Sequence, residues 1–206
     1  RNRLRTGHHA GKRVRLVIRE VASHAAESVP AILAELSRRG VPNYFGPQRQ
    51  GKSGDNHEVG AALLNDARRR DKMSRAKRMW YLNSYQSYLF NRILARRIDR
   101  IDRLFVGDWA MKSQNGACFL VEDAEKEQIR ADCFEISPTG ILFGSRVSWA
   151  EGEPGLIEQA VVAEAGTTQE ALVAAAKDCG FRGERRALRI PLAELDWSLD
   201  GTALTL

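Results

Sequence analysis

The alternation of apolar and polar residues predicts a strand near the start of the chain. Within residues 13–20, Val14, Leu16 and Ile18 fall on one face and arginines fall on the other. This two-residue period is typical of a half-buried strand with a basic outer face. An apolar stripe of Ile32, Leu33 and Leu36 then predicts a helix over 28–39. A strand followed by a helix indicates the beginning of an α+β or α/β fold.

The rest of the pattern also predicts a mixture of helices and strands. The glycine-rich stretch 46–56 predicts a loop and a domain boundary. Residues 74–104 contain no Gly or Pro and carry apolar stripes on two sides, so this helix should be central to its domain. Further helices are predicted over 57–65, 154–165 and 168–177, strands at 117–121, 186–192 and 195–199, irregular chain around 137–140, and a hairpin turn at Asp200-Gly201.

The composition indicates which class of protein this is. The hydrophobic fraction of 43% is ordinary for a globular domain. No apolar run approaches the ~20 residues that span a bilayer, and the first residues lack the apolar stretch of a secretory signal. Cys118, Cys133 and Cys179 are widely spaced, which fits neither a disulfide framework nor a zinc site. We therefore expect a soluble cytoplasmic protein with no membrane partner and no metal site.

The net charge of +6 conceals a stronger separation along the chain. Residues 1–51 carry a net charge of +7 and residues 68–103 carry +9, whereas 52–67 carry −2 and 104–206 carry −8. Attraction to a polyanion should therefore be concentrated in the first half. A nucleic acid is the partner that this pattern favours, but an anionic membrane or an acidic protein would be attracted in the same way.

Three ordered stretches carry a more specific signal. They read Asn2-Arg-Leu-Arg-Thr-Gly-His-His-Ala-Gly11, Val41-Pro-Asn-Tyr-Phe-Gly-Pro-Gln-Arg49 and Tyr81-Leu-Asn-Ser-Tyr-Gln-Ser-Tyr-Leu-Phe-Asn91, with a weaker match at Gly183-Glu-Arg-Arg186. In this order they resemble motifs of the D family of tRNA pseudouridine synthases. The second is similar to the family's Asn-Tyr-Phe-Gly-x-Gln-Arg-Phe-Gly signature.

The resemblance implies an α+β fold in which a synthase domain is interrupted by a mixed α/β insertion domain peculiar to the family. Residues 1–51 would form part of the synthase domain, residues 52–183 the insertion, and residues 184–206 the returning strands of the synthase domain. The glycine-rich loop after Arg49 agrees with the first of these boundaries.

The resemblance also implies the activity. The family isomerises uridine 13 of tRNA to pseudouridine without a cofactor, and no obligate protein partner is implied. Its catalytic aspartate belongs to a Gly-x-Lys-Asp segment upstream of the first motif. The one Lys-Asp pair of this chain is Lys177-Asp178, preceded by Ala175 and placed at the end of a predicted helix. We therefore expect no catalytic residue within these residues, a fragment that is inactive by itself, and an active enzyme when the protein is intact.

Eleven residues are expected to bind RNA or the target uridine. They are Arg3, Arg5, His8, Lys12, Val14, Asn43, Tyr44, Phe45, Gly46, Gln48 and Arg49. The cations would contact phosphates, whereas a solvated strand face is the alternative for each of them. Asn43 to Gly46 would shape the uridine pocket or else form a turn with two core aromatics. Arg49 would contact RNA or serve as a structural ion-pair partner.

Three positions depart from the family pattern. Lys12 and Val14 stand where the family has Asn and Phe lining the uridine pocket, and Gln50 stands where its signature has Phe. A non-catalytic RNA-binding module with a degenerate pocket is therefore the alternative function. A second basic cluster lies near the start of the long helix and is the best RNA patch of the insertion; it contains Arg68, Arg69, Arg70, Lys72, Arg75, Lys77 and Arg78. The spacing of Tyr81, Tyr85 and Tyr88 favours core packing over base stacking.

Overall fold

The computed structural model describes residues 14–66, 68 and 72–206. Four of the expected RNA-binding residues lie outside this range: Arg3, Arg5, His8 and Lys12. The chain divides into two compact units. The described residues of the smaller unit are 14–38 and 192–206, and the larger unit contains Arg39–Pro191. The synthase and insertion boundaries expected from the sequence are a separate matter and stay a prediction.

The smaller unit is a three-stranded antiparallel sheet with two helices. Its elements are β1 Val17–Ile18, α1 Ser23–Ala26, α2 Val29–Arg39, β8 Ser198–Asp200 and β9 Ala203–Thr205. The strands occur in the order β1-β9-β8, and helix α2 contributes Val29 and Leu33 to a core with Leu204. The hairpin turn predicted at Asp200-Gly201 is confirmed, because Asp200 pairs with Ala203 and Gly201 has a φ of +56°.

A half-buried strand was predicted over 13–20, but the apolar face that should be buried is exposed. Only Val17–Ile18 forms the strand, although reciprocal backbone hydrogen bonds between Leu16 and Leu206 extend its pairing. Val14 is 72% exposed, and Leu16 and Ile18 are also exposed. The reason is that α2 packs on the side chain of Leu204 in β9 and leaves β1 outside the core. Ile32, at the edge of the apolar stripe of α2, is likewise exposed.

The larger unit has a four-stranded antiparallel sheet in the order β4-β3-β5-β6 and a separate pair, β2 with β7. Helices lie around a central helix, α4. The strands are β2 Val41–Pro42, β3 Trp109–Lys112, β4 Cys118–Leu120, β5 Ile136–Leu142, β6 Glu184–Ala187 and β7 Arg189–Ile190. The helices are α3 Asn56–Asn65, α4 Arg75–Arg97, α5 Ala124–Asp132, α6 Gly152–Glu164 and α7 Gln169–Cys179.

Helix α4 is central, as its two apolar stripes predicted. Leu89 and Ile93 pack in one core with Phe143, whereas Phe90 and Leu94 pack in another with Leu142 and Leu188. Tyr85 is buried in the first core, and Tyr81 and Tyr88 pack against core clusters as partly buried residues. Core packing is therefore what all three tyrosines do, as their spacing indicated.

The end of this helix was predicted seven residues too late. Helix α4 ends at Arg97, and a short 3₁₀ turn follows at Ile98–Arg100. The buried guanidinium of Arg97 pairs with Asp108 and donates to the carbonyl of Arg103 at 2.8 Å. The chain must turn back after Arg97 to make these contacts, so the helix cannot continue.

The irregular chain predicted around 137–140 is wrong, because this segment is the fully buried central strand β5. Pro138 lacks the N–H that a central strand normally donates. Leu188 N–H donates to the Pro138 carbonyl at 2.9 Å, while the Leu188 carbonyl accepts from Asn43 N–H at 2.9 Å. The Leu188 carbonyl therefore has a donor although Pro138 cannot supply one, and the proline is tolerated.

The remaining predicted elements agree with the structure to within a few residues. Helices α3, α6 and α7 occur where they were expected. The Thr168 side chain caps α7, and Gly180 ends it in the left-handed conformation. The fold is α+β, as predicted. None of the described helices is both long enough and apolar enough to cross a membrane.

Candidate RNA-binding site

The segment 43–49 lies in the larger unit, where Asn43 fastens its beginning. The Asn43 N–H donates to the Leu188 carbonyl at 2.9 Å, and its side-chain amide donates to the Ala187 carbonyl at 2.8 Å. Both acceptors lie where β6 passes into β7. The loop is therefore held by a part of the chain that lies more than 140 residues away in sequence.

Asn91 on α4 holds the middle of the same loop. Its side-chain oxygen accepts from the Phe45 N–H at 2.9 Å, and its side-chain nitrogen donates to the Phe45 carbonyl at 2.9 Å. This reciprocal pair satisfies both backbone groups of one residue with one amide. The Phe45 ring packs edge-on against Phe90, with ring centroids 5.6 Å apart. Phe45 thus serves as an anchor between the loop and the helix.

Two guanidinium groups lie near the Phe45 ring. The Arg186 Cζ lies 4.0 Å from its centroid and the Arg49 Cζ lies 5.1 Å from it, both within cation–π range. Arg186 also donates to the Asn43 side-chain oxygen at 2.6 Å. Desolvation lowers the pKa of Arg186, Glu184 opposes this, and the nearby cation of Arg49 lowers that pKa further. Among the described residues neither arginine has a carboxylate ion-pair partner. This does not favour the hypothesis that Arg49 forms a structural ion pair.

Beside this anchor lies an open groove of about 290 Å³. It is lined by Phe45, Gly46, Gln48, Arg49 and Trp80. Tyr44 is 43% exposed, and partial burial raises the pKa of its phenol. The segment therefore contains two kinds of side chain. Asn43 and Phe45 hold the loop in place, whereas Tyr44, Gly46 and Gln48 face solvent.

A match to a family model decides which family these features belong to. The model for tRNA pseudouridine synthase D (TruD) matches residues 1–70 and 68–206. The chain belongs to the TruD family. Loop 43–49 and its anchor Asn91 both fall within the matched residues.

Individual relatives agree. The tRNA pseudouridine synthase D of Geobacter sulfurreducens is 38% identical in an alignment that covers all of this chain and 65% of that protein. That of Thermus thermophilus is 41% identical over 97% of this chain and 53% of its own length. The chain thus spans about half to two thirds of the length of these curated relatives. A solved structure assigned as TruD from Methanosarcina mazei shares the fold, with a TM-score of 0.73 at 18% identity, over 93% of this chain and 63% of that one.

Gln50, at the position where the TruD signature has Phe, is part of a polar network. The Ser84 Oγ lies 2.9 Å from both the Gln50 side-chain oxygen and the Arg49 carbonyl. The same Gln50 oxygen lies 3.1 Å from His57 Nδ1, and the His57 ring stacks on Tyr88 at 4.2 Å. Gln50 therefore joins the 3₁₀ turn Pro47–Gln50 to α3 and α4 by hydrogen bonds, and its amide has partners in a half-buried site.

The other expected site residues are distributed unevenly. Val14 belongs to the smaller unit, where it lines a shallow groove with Trp197 and Leu206. In the second basic cluster, Arg68, Lys72, Arg75 and Lys77 are exposed, whereas Arg69 and Arg70 lie outside the described residues. The first turn of α4 contains no acidic residue. Within the described part of the chain, no group of three or more His, Cys, Asp or Glu side chains is placed to hold a metal ion.

Sequence reasoning missed three contributors to this site. Asn91 was the last residue of the third motif, and Arg186 the last of the weaker match at 183–186, but neither was assigned a role. Both act on the loop across long sequence separations of 46 and 143 residues. Trp80 gave no signal at all, because an aromatic residue at helical spacing is usually a core residue. Only its exposure distinguishes it.

Proposed function

We propose that the intact protein containing this chain is a tRNA pseudouridine synthase that isomerises uridine 13 of tRNA. Family membership supports the class of reaction. The observation that carries the proposal for this chain is the loop 43–49, which Asn43 and Asn91 hold in one conformation. A loop fixed in this way can present its exposed residues to RNA without a large ordering cost.

The reaction detaches uracil from C1′ of the ribose, turns it, and rejoins it through C5. It requires a well-placed carboxylate, acting as a nucleophile or a base at the sugar, and no redox cofactor. We propose that this carboxylate is an aspartate in a segment of the intact protein outside these residues, and that residues 1–206 alone are inactive. Asp178, in the one Lys-Asp pair of the chain, is an exposed residue near the end of α7. An exposed helix end is not suited to hold the catalytic carboxylate of a uridine pocket.

Within this chain the proposed task is to bind RNA. The target uridine must leave its stack before it can react, so the enzyme has to hold the flanking backbone while the base is displaced. Gln48 and Arg49 are suited to contact this backbone, since one is exposed and the other is a cation without an ion-pair partner among the described residues. Arg3, Arg5, His8 and Lys12 are proposed to add phosphate contacts.

The test is a pseudouridine assay on the full-length protein. Transcripts of tRNA with uridine or cytidine at position 13 would be incubated with the protein and analysed by mass spectrometry of nuclease digests. We expect one pseudouridine per uridine-13 transcript, none in the cytidine-13 transcript, and conversion that persists in EDTA. Residues 1–206 alone should give none. A full-length protein that carries the Gly-x-Lys-Asp segment and converts no uridine in any tRNA would contradict the proposal.

The alternative function is an RNA-binding module without activity. The observation that favours it is Val14, which stands where the family has Phe and is 72% exposed. The same assay distinguishes the two functions, because this module would bind tRNA and convert none of it. Reversion by Val14→Phe with Lys12→Asn should then restore conversion. If the reverted protein stays inactive although the aspartate is present, a degenerate pocket is not the cause.

The second basic cluster gives a prediction about salt. The double variant Arg75→Gln, Lys77→Gln should bind tRNA more weakly, and the slope of log affinity against log salt should become shallower by about two, because each phosphate contact releases counterions. Filter binding of the full-length protein over a salt series would measure both. The control is Lys126→Gln with Lys177→Gln, two exposed cations in the acidic part of the chain. An unchanged slope in the first variant would remove this cluster from the interface.

A further inference from the structure

Trp80 is unusual among the aromatic residues of α4 because 55% of its surface is exposed. Tryptophan is highly buried on average. The exposed surface is not explained by its polar atom, because the side-chain oxygen of Asn56, in the amide orientation that satisfies both groups, accepts from the indole N–H at 3.1 Å. That oxygen also accepts from the Gly51 N–H at 3.2 Å. The ring is therefore held at its nitrogen, and the indole N–H does not need the exposure in order to find a hydrogen-bond partner.

Gly46 lies on the same groove as Trp80, and the fold does not explain why it is a glycine. Its φ of −73° and ψ of 170° are accessible to any residue. A Cβ added to Gly46 would meet no atom within 4 Å. A side chain at this position would therefore occupy open space at the groove without contacting the rest of the fold. Bare main chain allows a ligand to approach closely.

Charge at the groove indicates an anionic ligand. The Arg49 guanidinium lines the groove and lies 5.1 Å from the Phe45 centroid. Arg186 lies 4.0 Å from the same centroid, so the two cations are no farther apart than the sum of these distances. Neither forms an ion pair with a described carboxylate. Two neighbouring guanidinium groups repel each other, and a phosphate bound there would relieve that repulsion.

We propose that this groove binds one unpaired nucleotide of the tRNA, with its base stacked on Trp80 and its phosphate bound by Arg49. The inference rests on the proposed function, because it assigns a contact within the same RNA complex. An exposed aromatic face beside a cation is the combination that binds single-stranded nucleic acid. The contact should tolerate any base, since every base has a π-face. Gly46 leaves room for the nucleotide to lie against the main chain.

The experiment compares tRNA binding by the full-length protein and five variants, one of them a control, at two salt concentrations. Trp80→Leu keeps apolar bulk but has no aromatic face, and Trp80→Phe keeps an aromatic face. We expect the Leu variant to bind about 5- to 140-fold more weakly, which corresponds to the free energy of one base stack, and the Phe variant to bind within a few-fold of the parent. Gly46→Val should weaken binding without lowering the thermal unfolding midpoint. Arg49→Gln should reduce the salt slope by about one.

Leu156→Ala is the control, since Leu156 is an apolar residue of α6 that is 65% exposed and does not line this groove. If the Leu and Phe variants of Trp80 bind tRNA equally well, base stacking on Trp80 is overturned. The contact at Trp80 would then be apolar only, of the kind that a peptide could make. Equal losses at Trp80 and Leu156 would also overturn base stacking. A parent protein that binds no tRNA would contradict the proposed function itself, so the two failures are distinguishable. Thermal unfolding of every variant separates misfolding from lost contact.

Discussion

The variant Asp108→Ala should lose about 3–5 kcal/mol of unfolding free energy, because it leaves a buried cation without its partner. Arg97 and Asp108 are 2% and 0% exposed, and the Arg97 Nη1 and Nη2 atoms donate to the carboxylate at 2.9 and 3.1 Å. Asp108 also accepts from the Phe105 N–H at 2.9 Å. Denaturant unfolding of the full-length protein and the variant would measure the loss.

The control for Asp108 is an exposed carboxylate that also pairs with arginines of α4. Glu164 accepts from Arg92 and Arg96, and all three side chains are a third or more exposed. Glu164→Ala should therefore cost no more than about 1 kcal/mol. Comparable losses in the two variants would mean that burial does not determine the strength of these ion pairs. The Arg97–Asp108 pair would then not be strong enough to explain why α4 ends at Arg97.

The sequence predicted helices α2, α3, α4, α6 and α7 because their apolar residues recur at helical spacing. The four-residue helix α1 and the charge-rich helix α5 were not predicted. Helix α4 is the clearest case, since Leu89 and Phe90 point to different cores and both stripes could be read from the sequence. The hairpin at Asp200-Gly201 was predictable for a different reason, namely that few dipeptides suit its turn. In both cases the information is local in sequence.

What the sequence did not predict depends on distant contacts. Strand β5 contains Pro138, and Asn43, far away in sequence, donates to the Leu188 carbonyl that this proline cannot reach with an N–H. The exposure of β1 depends on which strand α2 covers. In the candidate site, the motif at 43–49 was found by its resemblance, but the residues that hold it, Asn91 and Arg186, act through pairings that no local pattern reports.

The largest functional effect is expected for Asn91→Leu, on the basis of the proposed function. Leucine has a similar size but cannot bind the N–H and the carbonyl of Phe45, so both groups lose their partner. Stability should fall by about 1–3 kcal/mol. Turnover of tRNA should fall by about 10- to 100-fold, because a loop that is misplaced by about 1 Å no longer presents its residues correctly. Single-turnover pseudouridine formation by the full-length protein would measure this.

The control for Asn91 lies on the same helix. Gln86 is buried and donates its side-chain amide to the Phe143 carbonyl at 2.5 Å, which is a core contact outside loop 43–49. Gln86→Leu should therefore lower stability to a similar extent but leave turnover nearly unchanged at a temperature where both variants are folded. If the two variants lose turnover equally, Asn91 acts only through stability. A selective loss in Asn91→Leu would mean that activity depends on how α4 positions the loop, since both variants remove one amide from the same helix.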